Sequence, residues 1–279
     1  MKVFISCCLV LVAIMAGTPA QALEPWVPYD NFNGTPMEFF LGKPIDPDKW
    51  RSGGYGEADI LDCIREIRWN RLHILNRTYN FSGYTNTSVR LDFPYPEKVT
   101  AIRAAVMIKA SELTPCPRNR VRGGRLGGYF FNTGQIPDPV GNQGDVLAAI
   151  QVQQDWNDLP DVFHVYANVF NCVDDPGCFN TLDVCPRIDL GTVGLNERTR
   201  LSIQWDKETY QFIFKRDGNE VYCVYDPALD YGPPNSPEKR IDASHRVFAE
   251  SCTDDPYSVA SMEVLIDNVF VNESALSAP

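Results

Sequence analysis

The chain has 279 residues, with 36 Asp and Glu against 25 Lys and Arg and a net charge of −11. A length on this scale holds one large β domain or two small ones. The acidic balance argues against a nucleic-acid or anionic-membrane partner and suits an exported protein, or one that holds cations.

In chain order, the first feature is a leader. Lys2 and the apolar run from Val3 to Ala16 precede Ala20-Gln21-Ala22, which together have the layout of a secretory signal peptide cleaved after Ala22. Residues 23–279 are then the mature chain, secreted or periplasmic, and no later stretch is apolar for long enough to span a membrane.

Short alternating runs follow, and helical periodicity is hard to find. REIRWNRLHILNR (65–77) reads as two short strands with Asn70 near the turn between them. KVTAIRAAVMIKA (98–110) alternates with a phase slip near Ala101, which predicts a bulge there. GGYFFN (127–132), GDVLAAIQVQQ (144–154) and DVFHVYANVFN (161–171) continue the pattern. LSIQW (201–205), QFIFKR (211–216) and EVYCVYD (220–226) form a meander, its second turn marked by Asp217-Gly218-Asn219. SVASMEVLIDNVFVN (258–272) is the last strand. Many short strands separated by Gly, Pro, Asn and Asp mean a sandwich or barrel. With no internal repeat and no long linker, the expectation is all-β: a single jelly-roll β-sandwich of two antiparallel sheets.

Of the nine cysteines, Cys7 and Cys8 leave with the leader. Cys63, Cys116, Cys172, Cys178, Cys185, Cys223 and Cys252 remain, an odd set that leaves one over if every possible bridge forms. No C-x-x-C pair suggests zinc. Cys172, Cys178 and Cys185 share one turn-rich stretch, so at least one disulfide is expected within that group; spacing does not say which two pair.

Three further motifs lie at the ends and middle of the mature chain. It opens with YDNFNGTPMEFFLGKPIDPDKW and closes with VLIDNVFVN, and LSIQWDKETYQFIFKRDGNEVYCV lies between. The arrangement resembles the concanavalin A-like lectin/glucanase superfamily, especially laminin-G-like exported domains. The resemblance implies a first strand near Phe32 lying beside a last strand near Val269. It does not specify an activity; the reading is an exported, non-catalytic sandwich that binds a glycan or another cell-surface ligand, with a glycoside hydrolase or lyase of the same fold and an adhesion module binding a protein partner as alternatives.

Glucanases of the laminarinase type carry Glu-x-Asp-x-(x)-Glu on one strand, and GEADILDC (56–63) looks similar through Glu57, Asp59 and Asp62. A retaining glycosidase needs two carboxyl groups about 5–5.5 Å apart. Three features oppose that reading: Asp62 is one methylene shorter than Glu, the string falls early in the chain, and RSGGYG before it reads as a loop. An acidic loop leading to Cys63 is expected, and no catalytic residue is assigned.

The candidate site residues are of other kinds. Arg118, Arg120, Arg122 and Arg125 form a basic patch, and alternate arginines on an extended segment could grip a carboxylate-bearing glycan. On the strand 144–154, Asp145, Gln151 and Gln153 point outward if Val146, Ala148, Ile150 and Val152 point to the core. Trp69, Tyr129 and Trp156 are candidate sugar platforms. Calcium is a possible cofactor, through Asp174 and Asp175 beside Cys172 and Asp254 and Asp255 beside Cys252. His73, His164 and His245 read as strand histidines. Asn33, Asn76, Asn80, Asn86 and Asn272 stand in glycosylation sequons.

Overall fold

The computed structural model describes residues 23–33, 45–56, 60–80, 83–173, 177–178, 180–248, 252 and 258–276, with backbone alone for 54–56, 60–62 and 80. Among the described residues, fifteen strands form two sheets. The first contains β1 (Trp26–Asp30), β3 (Ile60–Arg68), β4 (Arg71–Asn80), β6 (Ala101–Leu113), β11 (Arg198–Asp206), β12 (Gln211–Arg216), β13 (Asn219–Val224) and β15 (Ser258–Asn272). The second contains β2 (Arg51–Gly56), β5 (Tyr84–Asp92), β7 (Arg120–Asn132), β8 (Asp145–Asp155), β9 (Val162–Cys172), β10 (Thr181–Gly194) and β14 (Lys239–Phe248). The path through the first sheet is β13-β12-β11-β6-β15-β4-β3, with β1 also on β15; through the second it is β10-β9-β8-β7-β14-β5-β2. Every named pairing is antiparallel, so the architecture is the jelly-roll sandwich that the strand pattern predicts.

The core lies between the sheets and is built from alternate residues. Leu72, Ile74, Ile102, Ile108, Leu201, Ile203, Phe212 and Phe214 enter from one side, and Leu126, Val146, Ile150, Val152, Phe163, Val165 and Ile241 from the other. Fully burying one such side chain stabilises the fold by about 1.5–3 kcal/mol. The first and last strands pair as expected, with Trp26 opposite Asn272 and Asp30 opposite Val269. Asp30 accepts from the Trp50 indole at 2.8 Å and from the Phe32 amide at 2.8 Å, which seats both rings in the core. The Asn272 side chain accepts from the Thr100 and Ala101 amides at 2.9 and 3.1 Å. These Asp and Asn groups fix backbone.

Two local expectations change. Ala101 starts β6 and is no bulge; the ladder between β6 and β15 shifts instead at Glu263/Val264 and at Asp267/Phe270. Arg51–Gly56 is a strand, not a loop, and pairs with β5. The Arg90 and Asp92 side chains fold across Gly53 so closely that a Cβ there would sit 2.3 Å from Asp92 Oδ2. Asp62, also read as loop, lies in the β3 ladder opposite Arg77. Glu57 and Asp59 lie outside the described residues, as do Asp174, Asp175, Asp254 and Asp255.

A polar cluster is buried inside the sandwich. His245 on β14 donates through Nε2 to the Asn76 carbonyl on β4 at 2.6 Å. The Asn76 side chain donates to Thr87 Oγ1 and the Ala243 carbonyl at 3.3 and 3.2 Å, and Thr78 meets Thr87 at 2.8 Å. Asn76, Asn86 and Asn272 are 0%, 6% and 1% exposed, so three of the sequons are closed to a glycan in the folded chain.

Three disulfides close the structure: Cys116–Cys252, Cys172–Cys178 and Cys185–Cys223. Cys172–Cys178 is local. Cys185 lies on β10, the outer strand of the second sheet, and bridges to β13, the outer strand of the first. At the opposite long edge the Arg65 guanidinium on β3 donates to the Gly53 and Arg90 carbonyls of the second sheet, both at 2.7 Å. Cys63 is exposed and unbridged.

Candidate functional site: an arginine cleft on the second sheet

The segment Arg120-Val121-Arg122-Gly123-Gly124-Arg125 begins β7. Against β8 its register shifts between Gly123 and Leu126, and Gly124 takes φ +57°. This bulge changes the alternation. Arg120, Arg122 and Arg125 all line the outer cleft, whereas a Cβ on Gly123 or Gly124 would point into the core. It would meet Met262 Sδ or Val106 Cγ1 of the other sheet at 2.3 Å. The glycine pair therefore lets the sheets approach and turns a third arginine outward.

Neighbouring strands complete the face. β14 sets Asp242 opposite Arg125, Ser244 opposite Arg122 and Arg246 opposite Arg120. β8 adds Gln153 opposite Arg122 and Asp155 opposite Arg120. Of these, Arg246 and Gln153, with Asn168 and Phe170 of β9, Asp183 and Arg187 of β10, and Cys178 at one end, line a cleft of about 200 Å³.

The charges in the cleft are unevenly matched. Arg120 pairs with Asp155 at 3.3 Å; Arg125 and Arg240 converge on the fully buried Asp242 at 3.5 and 3.1 Å. Arg122 Nε donates to Gln153 at 3.1 Å, and Gln151 donates to the same oxygen at 2.9 Å. Arg187 lies over the Tyr166 ring, 4.1 Å from its centroid. Arg246 Nε and Ser244 Oγ are buried with no hydrogen-bond partner among the described residues. Arg122, Arg187 and Arg246 thus have no ion-paired carboxylate among those residues; Asp242 acts on Arg122 only at longer range, and Asp183 lines the rim. Burial, then the adjacent Arg246, Arg125 and Arg120, push the Arg122 pKa well down. A guanidinium keeps its proton at neutral pH regardless, so the crowding is an unfavourable energy that a bound anion would relieve.

The outward row of β8 is Gln151-x-Gln153-x-Asp155, with amides in its first two places. Asp155 is already engaged by Arg120 and by Gln153 Nε2 at 2.8 Å. An amide cannot serve as nucleophile or proton donor to a glycosidic oxygen.

Among the residues that the sequence proposed, Arg120, Arg122, Gln151 and Gln153 come together here. Asp145 is on the outer face of β8 but covered: it accepts from Asn132 Nδ2 and the Asn235 amide, each at 2.8 Å, and from the Ser236 amide at 3.1 Å. It holds the 232–236 loop. Tyr129 is 4% exposed and joins Leu147, Ala149 and Cys172 in a small apolar cluster on the same face. Trp69, 42% exposed, sits at the β3–β4 turn of the other sheet with Arg68 stacked 4.4 Å from its ring centroid. Trp156 is exposed at the turn after β8, where its amide donates to the Asn119 carbonyl at 3.0 Å. Arg118 lies outside the row, at φ +73° and over the Phe248 ring. Arg187 and Arg246 escaped notice because β10 and β14 did not register as strands. No group of three or more potential metal ligands occurs among the described residues, and none of their helices is long and apolar enough to cross a membrane.

No protein-family model matches the chain, and no curated protein is significantly similar to it. Solved structures do match it. A laminarinase from Flavobacterium sp. UMI-01 aligns over 85% of this chain and 98% of its own, at 13% identity and a TM-score of 0.44. SCLam, a non-specific endo-β-1,3(4)-glucanase from family GH16, aligns over 89% and 95% at 9% identity and 0.42. The carbohydrate recognition domain of Emp46p aligns over 88% and 99% at 10% identity and 0.36. These similarities are of fold alone.

Proposed function

We propose that this chain is an exported, non-catalytic protein that binds an acidic glycan in the arginine cleft. The observation that carries the reading is the trio Arg122, Arg187 and Arg246, guanidiniums without an ion-paired carboxylate among the described residues, in a chain of net charge −11. Each offers planar paired donors that match a carboxylate or sulfate, while Gln151, Gln153 and Asn168 supply amides suited to hydroxyls. The amide row on β8 supports binding over hydrolysis.

Binding of polygalacturonate, dextran sulfate and uncharged dextran to the mature chain tests this. Both acidic polymers should bind, weakening as salt rises, and Arg122→Gln/Arg246→Gln should weaken them at least about ten-fold, the order of one lost charge-assisted hydrogen bond. Equal binding of uncharged dextran, or an unaffected double variant, would overturn the proposal.

A second reading, cleavage of the glycan by a lyase, is favoured by one arrangement. His164 lies 3.6 Å from both Asp158 and Asp189 and stacks parallel on Tyr166, the ring beneath Arg187. Release of unsaturated sugar ends that stops in His164→Gln would select it.

A further inference from the structure

The outer face of the first sheet carries another arginine group. Arg103 on β6 and Arg198 and Arg200 on β11 surround Ala105, whose methyl leaves a depression between them. Two adjoining hollows of about 230 and about 440 Å³ share Ala105, Arg198, Arg200 and Asn268. A bulge in β15 builds the far wall. Asp267 lies opposite Ala105 and Phe270 opposite Arg103, and Asn268 between them takes φ +51°. Two residues three apart therefore face outward together, as Arg122 and Arg125 do on the other sheet.

The three guanidiniums are held differently. Arg198 pairs with Asp267 at 3.1 Å. Arg103 is positioned by rings: its guanidinium lies 4.9 Å from the Trp26 centroid and 4.3 Å from that of Phe270. Aromatic faces hold a cation without consuming its N–H donors, which point from the edge of the plane. Arg200 reaches no carboxylate among the described residues; Asp217 accepts its backbone amide at 2.7 Å, not its side chain. Burial and the nearby Arg200 both lower the Arg103 pKa, in accord with two cations sharing one hollow. Two arginines without an ion-paired carboxylate among the described residues, over a methyl floor, fit an oxyanion.

We infer that Arg103 and Arg200 form a second anion site, for a sulfate or carboxylate group on a polymer, on the face opposite the cleft. One chain would then hold two acidic strands at once, one per sheet, and link them. The second site stands on its own residues, whereas the linking of two strands rests on the cleft reading as well.

The test is binding stoichiometry by titration calorimetry with short dextran sulfate and polygalacturonate oligomers, the two arms separating sulfate from carboxylate. Light scattering with the long polymers follows bridging. The mature chain should bind two oligomers of at least one kind and cross-link the long polymer of that kind. Arg103→Gln/Arg200→Gln and Arg122→Gln/Arg246→Gln should each bind one and cross-link none. Arg103 packs on two rings, so Arg200→Gln alone, on the surface, serves as the variant that leaves the fold intact; it should weaken the second site about ten-fold. A stoichiometry unchanged in both Arg200 variants overturns the inference. A wild-type stoichiometry of one that these variants abolish upholds the second site and overturns the cleft instead.

Discussion

His245 should make the fold acid-sensitive, by an amount set by its surroundings. It is 1% exposed inside the sandwich, with Nε2 donating to the Asn76 carbonyl at 2.6 Å and Nδ1 unpartnered among the described residues. Burial, opposed by backbone hydrogen bonding to Asn76 and Ser244 and by the nearby Asp242, lowers its pKa from 6.5 to about 4. Between those values the unfolded chain holds a proton that the folded chain excludes, so stability falls as pH drops from 6.5 towards 4. A difference of about 2.5 units, at about 1.4 kcal/mol each, gives roughly 3 kcal/mol lost by pH 4. That is a large part of a typical domain's stability of about 5–15 kcal/mol. Other carboxylates titrate in the same window, and a variant isolates this one group. His245→Gln keeps an N–H donor for Asn76 and cannot titrate. Urea unfolding of both proteins, followed by tryptophan fluorescence at steps from pH 7.5 to 4, should show the variant gaining about 3 kcal/mol on the parent as pH falls. Two stability curves that stay parallel across that range would refute the reasoning, even if one lies below the other.

Two further outcomes follow from the same structure. Gly124→Ala should cost about 2–4 kcal/mol, combining a left-handed backbone with overpacking against Val106. Val106→Ala in the same chain should recover part of the lost thermal midpoint, and a Gly124→Ala midpoint equal to the parent's would contradict the close approach. Lys239 is buried over the Phe130 ring and donates to the Tyr129 carbonyl, and burial lowers its pKa to about 7. Its proton is held by the unfolded chain alone between pH 7 and 10.5, so stability rises with pH there. The stability difference between Lys239→Met and the parent should therefore shift in the parent's favour by up to about 5 kcal/mol over that range, as read by denaturant midpoints.

The fold was legible where alternation is strong. The Ser258–Asn272 strand and the 201–226 meander announce themselves because one face is wholly apolar. Strand β10 does not, since an outer strand with many exposed residues, among them Thr181, Leu182 and Asp183, shows little period-two contrast. Strand β14 fails for the opposite reason: its burial is nearly continuous, and it places Arg240, Asp242 and Ser244 under cover. The cleft was half legible. Arg120 and Arg122 stand out as alternate arginines, but only the bulge at Gly124 brings Arg125 onto their face, and only sheet order brings Arg246 and Arg187 beside them. Asp145 looked like a ligand because parity puts it outside; a loop distant in sequence covers it.

The two long edges of the sandwich are fastened by different kinds of link. On one, Cys185–Cys223 joins β10 to β13 covalently. On the other, the Arg65 hydrogen bonds join β3 to β2 and β5. Hydrogen bonds break and re-form in local fluctuations, whereas a disulfide persists through them. Local opening is therefore expected at the β2–β3 margin, by loss of the Arg65 contacts, while the chain itself still joins β2 to β3 through residues 57–59. Amide protons of β2 and β3 should exchange with solvent ahead of those of β10 and β13. The cleft borders β10, so its arginines stay registered on the side that remains shut.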